Sequence, residues 1–136
     1  MTTKSIRWVP MLLLAGALPL FAHATDAGSA VAKQVSTASA HAGMALGAAD
    51  LKTAHAHLHH VINCLAGPSG AGYDAQEANP CQGMGQGAIV DAKGDTARET
   101  KLRSAMTEAE HGLKTTTLDA AHADAQQVMS SLQSKD

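Results

Sequence analysis

The chain is nearly without aromatic residues: one Trp, one Tyr and one Phe among 136 residues. Nucleobases bind by stacking on aromatic side chains, and phosphates need a basic surface. Ten Lys and Arg against 12 Asp and Glu give a formal net charge of −2. Nucleic-acid binding is therefore not expected. The same scarcity argues against a non-covalent haem pocket, which would need aromatic walls. There are only two cysteines, and they form neither Cys-x-x-Cys nor Cys-x-x-Cys-His. That excludes the usual redox motif and covalent c-type haem attachment. The glycine clusters at 67–74 and 83–87 lack the following Lys-Ser/Thr of a phosphate-binding loop. Asp74, Glu77 and Asp91 do not have the spacing of a 12-residue calcium loop. No Ser-His-Asp or paired-carboxylate arrangement follows from spacing, so a non-enzymatic protein is expected.

The first 24 residues read as an export signal. Lys4 and Arg7 precede an apolar run from Val9 to Ala22, which ends in Ala22-His23-Ala24. Positive start, apolar centre and small-x-small end are the parts of a cleavable secretory signal, with cleavage after Ala24. The apolar run is about 14 residues and contains Pro10 and Pro19, whereas a spanning helix needs roughly 20. A periplasmic or secreted location follows, with no membrane span in the mature chain. Removal of Lys4 and Arg7 moves the formal charge to about −4. It also leaves Tyr73 as the only aromatic residue. The remaining 25–136 are enough for one domain with a modest core.

About a fifth of those residues are alanine, the best helix former. Four segments carry helical periodicity. The first spans about Asp26 to Gly47, with Val31, Val35, Ala38, Ala42, Ala45 and Ala49 on one face. The second spans about Asp50 to Ala66, with Leu51, Ala54, Leu58, Val61, Ile62 and Leu65; Gly67-Pro68 stop it. The third starts near Asp95 and buries Leu102, Ala105, Met106, Ala109 and Leu113. The fourth follows Thr115-Thr116-Thr117, with Thr116 and Asp119 as an acidic capping box. Its stripe is Leu118, Ala121, Ala125, Val128, Met129 and Leu132. Residues 51–65 and 118–132 align without gaps at Leu, Ala, His, Ala, Val and Leu. The expected fold is all-α: a four-helix bundle of two helical hairpins. A long glycine-rich loop, about 67–94, joins the second and third helices.

Cys64 and Cys81 are expected to form a disulfide in an oxidising compartment, tethering that loop to the second helix. The alternative is a thiolate metal site with His60, one turn before Cys64.

Histidine is abundant, with eight in the chain. Those outside the leader are His41, His55, His57, His59, His60, His111 and His122. Imidazole is largely neutral at neutral pH and is the commonest metal ligand. At 100° per residue His55 borders the second helix's apolar stripe, and His57, His60 and Cys64 share the opposite flank. His41 and His122 are also edge positions. Each of His41, His55 and His122 lies about seven residues from its turn, so a convergence of those three is expected in an up-down-up-down bundle. Edge histidines that only hydrogen-bond a neighbouring helix are the alternative. The candidate ligands are thus His41, His55, His57, His60 and His122, for zinc or copper. Met44, Met84, Met106 and Met129 would favour Cu(I) if any ligated, although Met106 and Met129 fall on apolar stripes. Metal handling or tolerance is the expected function. A non-catalytic interaction protein, using the tethered loop around Tyr73 as its surface, is the alternative.

Overall fold

A computed structural model describes Met1 and residues 22–134, with side chains from residue 27 onward. The described residues form helices and turns, with no strand. Most of the expected export signal of residues 1–24 falls on residues 2–21, outside those described. Helix α1 (Ala22–Leu46) begins at Ala22, four residues before the expected start, and so contains the expected cleavage motif. It is followed by α2 (Leu51–Ala66), the short α3 (Ala88–Asp91), α4 (Thr96–Gly112) and α5 (Leu118–Gln133). None of these helices is long and apolar enough to cross a membrane.

Side-chain caps start α2, α4 and α5, because the first amides of a helix have no internal partner. Asp50 accepts the Thr53 amide at 2.9 Å and its hydroxyl at 2.8 Å. Asp95 accepts the Arg98 amide at 3.1 Å. Thr117, rather than Thr116, caps α5, accepting the Ala120 amide at 3.3 Å. Gly67 ends α2 with φ 67°. A Cβ on Gly67 would strike the Gln86 carbonyl, and one on Gly87 would strike that of Ala66. Only glycine permits this crossing of two backbones.

Helix α1 packs on α2 and α5, and α4 packs on α5 and α2. Ala38, Ala42, Ala45, Ala54, Ala105, Ala109, Ala121 and Ala125 are fully buried, and small side chains let the helices approach closely. Leu58, Val61, Ile62, Leu65 and Val128 supply most of the remaining apolar volume. Each such side chain is worth roughly 1.5–3 kcal/mol when fully buried. Ala49, expected on the first apolar face, is instead exposed in the α1–α2 turn, and Ala48 is buried there. The aligned residues Leu51 and Leu118, with Ala54 and Ala121, meet in one small cluster beside Ala48.

The segment 67–94 is more than a loop. Its α3 packs against α1, α2 and α4, and Cys81, Ala88 and Ala92 join the core. Two devices hold it. The first is the Cys64–Cys81 disulfide, with Cα atoms 5.1 Å apart. The second is Asn63, 1% exposed. Its Nδ2 donates to the carbonyls of Asp74 at 2.9 Å, Ala78 at 3.1 Å and Glu77 at 3.4 Å. Its Oδ1 accepts the Asp74 amide at 2.9 Å. At its far end, Asp91 accepts from buried Gln34 of α1 and from the Gln86 amide, both at 2.9 Å. Because the segment covers it, the end of α2 is buried on all sides from Val61 to Ala66.

Replacing Asn63 by Ala strands the Asp74 amide and several carbonyls. We expect Asn63→Ala to lower stability by roughly 2–3 kcal/mol, a cost set by unsatisfied buried groups. Urea unfolding checks it; a change under about 0.5 kcal/mol, the range of ordinary surface substitutions, would mean the clamp is not structural.

Candidate metal centre

Helices α1 and α2 form a hairpin through a short turn, closed by the Gly47 amide to the Gly43 carbonyl at 3.0 Å. His41 sits seven residues before Ala48. Reflection through the turn brings it level with Ala56 and His57 on α2. His60 lies one helical turn beyond His57, on the same flank. The three rings meet there, all half-buried. His41 Nδ1 is 3.2 Å from His57 Nδ1 and 3.3 Å from His60 Nδ1. Ring centroids are 5.4 Å (41–57), 4.8 Å (41–60) and 5.5 Å (57–60) apart. One nitrogen from each ring lies within 4.8 Å of the other two.

This arrangement is poorly served by hydrogen bonds alone. A neutral imidazole has one N–H and one lone pair. If His41 Nδ1 carries the proton, it donates to one neighbour only. If it is bare, its single lone pair must accept from both. A cation at the centre resolves the conflict, because it accepts three lone pairs together. With metal–nitrogen bonds of about 2.0–2.1 Å, two ligands of a tetrahedral site stand about 3.3–3.4 Å apart. The 3.2 and 3.3 Å separations match two edges of such a site. The donor set is three imidazole nitrogens that could hold a metal ion.

Proton affinity is consistent with this geometry. His41 is lowered below the ordinary imidazole value, first by burial and then by the neighbouring charges of His60 and His57. His60 is also lowered, first by burial and then by His57, with Glu77 opposing. Both rings therefore keep a free lone pair to lower pH than an exposed histidine.

The other expected ligands lie elsewhere. His122 donates its Nε2 proton to the Ala48 carbonyl at 3.0 Å, tying α5 to the α1–α2 turn. His55 is half-buried, with an Nε2 that has no hydrogen-bond partner, and is absent from the cluster. The expected convergence of His41, His55 and His122 is thus replaced by His41, His57 and His60. A helical wheel gives the angle of His41 from its stripe but not which edge of α2 it will face. His59 Nδ1 is 3.9 Å from Asp74, and exposed His111 pairs with Asp124 of α5 at 2.9 Å. Cys64 is in the disulfide, so the thiolate alternative with His60 does not apply to this state. Met106 is buried, Met129 packs on the core, Met84 accepts from the Thr37 hydroxyl at 3.6 Å, and Met44 is exposed. The pairing of His41 with His57 and His60 had a usable sign in the sequence: mirror-image distances from one turn.

A lowered imidazole pKa means the unfolded chain binds more protons than the folded one once pH drops below about 6.5. The contribution of these rings is intact above that value and is lost as pH falls through their lower folded values. Metal-free protein should therefore lose urea resistance between pH 7.5 and 5.5. The loss should shrink in His41→Gln/His60→Gln; an equal loss in that variant would assign it to other groups. No family model matches this chain, and neither a curated protein nor a solved structure matches it.

Proposed function

We propose that this is an exported, non-enzymatic helical protein that binds one transition-metal ion, zinc or copper, and serves in metal handling or tolerance. The observation that carries the reading is the convergence of His41, His57 and His60 with nitrogen separations of 3.2 and 3.3 Å. Export is supported by the leader pattern of residues 1–24 and by the Cys64–Cys81 disulfide, which persists in oxidising compartments. Cleavage after Ala24 would leave the binding residues in the mature chain. Two paired hairpins, α1–α2 and α4–α5, are the arrangement that best accounts for the helix contacts and for the 51–65/118–132 repeat. The half-buried position of the three rings suits an ion that is taken up and released.

Untagged protein, dialysed against zinc or copper, should retain one ion per chain. His41→Ala, His57→Ala and His60→Ala should each weaken binding at least about 10-fold, since each removes one of three ligands. His111→Ala and His122→Ala should leave it unchanged. At 100 times Kd the ion should add about 2.7 kcal/mol to folding stability. Substoichiometric metal, or equal losses across all five variants, would refute the reading.

A further inference from the structure

On a helix the neighbours of a side chain stand three and four residues away. Apart from the histidines themselves, the positions so related to His41, His57 and His60 that carry a side-chain O, N or S atom are Thr37, Met44, Thr53, Asn63 and Cys64. All but Met44 are committed elsewhere. The Thr37 hydroxyl donates to the Lys33 carbonyl at 3.0 Å, and that of Thr53 to Asp50 at 2.8 Å. The Asn63 amide binds the loop backbone, and the Cys64 sulfur is bonded to Cys81. Met44 is 49% exposed. Among the described residues, no further histidine, cysteine or carboxylate joins the three rings.

The rings lie at the margin of the α1–α2 seam. Ala42 and Ala45 of α1 and Leu58 and Val61 of α2 are fully buried, whereas the three histidines are half-buried. Solvent therefore reaches the cluster. Three protein ligands with an open fourth position make an exchangeable site, and a closed set of four makes a structural one. Charge bears on what fills the fourth position. Ligating imidazoles are neutral, so three of them leave the whole charge of a divalent ion uncompensated. An anionic donor is favoured there.

We propose that an ion held by His41, His57 and His60 takes its fourth ligand from outside the chain, a small anionic donor, and leaves by ligand exchange at that position. This rests on the metal-binding reading above. The incoming donor supplies the electron pair of the new bond. Each imidazole keeps its own pair as the ion departs, so nothing is oxidised or reduced. Protein loaded with one equivalent of cobalt(II), a visible probe for zinc, tests the proposal. Sodium azide should shift the cobalt bands saturably, at one azide per ion, with the cobalt still on the protein after gel filtration. Met44→Leu should leave the bands of the azide-free protein unchanged. Transfer of zinc from the protein to a coloured chelator should speed up in proportion to chelator concentration. Bands that azide does not move while cobalt stays bound would overturn this proposal alone. So would bands that change in Met44→Leu, which would make the thioether the fourth ligand, or a transfer rate independent of chelator. Failure of the wild-type protein to retain either ion would overturn the metal reading itself.

Discussion

Close approach of α1 to α2 is the constraint on which the rest depends. The described core contains no Trp or Phe, so apolar volume comes from Leu, Ile, Val and a large set of alanines. Fully buried Ala38, Ala42 and Ala45 put little between α1 and its neighbours. A hairpin with so short a turn and so thin a seam has little freedom of register. His41 must then meet α2 near His57 and His60. Larger residues in the seam would force the two helices, and the rings they carry, apart.

The second consequence concerns the end of α2. A helix covered on every side needs partners for its polar groups as well as its apolar ones. Asn63 meets that need by binding backbone atoms of the loop, and Cys64 adds a covalent tie next to it. Closing a loop with a 17-residue separation is worth about 3 kcal/mol in the chain-entropy account. The same two residues stand one turn after His60, so the loop is fastened to α2 directly beside its histidine-bearing stretch.

Much of this was legible in the sequence. Apolar spacing marked the four long helices, because burial of a helical face forces a 3.6-residue period, and Asp95 marked the start of α4. The cysteine pair was legible because only one pairing exists. The short α3 was not, since four residues carry no period. Asn63 was not, because a buried amide at the end of an apolar stripe looks like any polar residue until the loop is placed. The histidine cluster was half legible: His41, His57 and His60 were all candidates, but a helical wheel does not give the side on which the next helix lies. Grouping His55 and His122 with His41 required α5 to approach the other edge. In the structure His122 instead bonds a turn carbonyl.

The central claim is that three histidine nitrogens from α1 and α2 converge on one ion. X-ray absorption at the metal edge, on protein loaded with one equivalent of zinc, tests it most directly. The account predicts three imidazole nitrogen scatterers at about 2.0 Å, with at most a light fourth ligand and no sulfur. A shell with sulfur at about 2.3 Å, or one of oxygen alone, would contradict it.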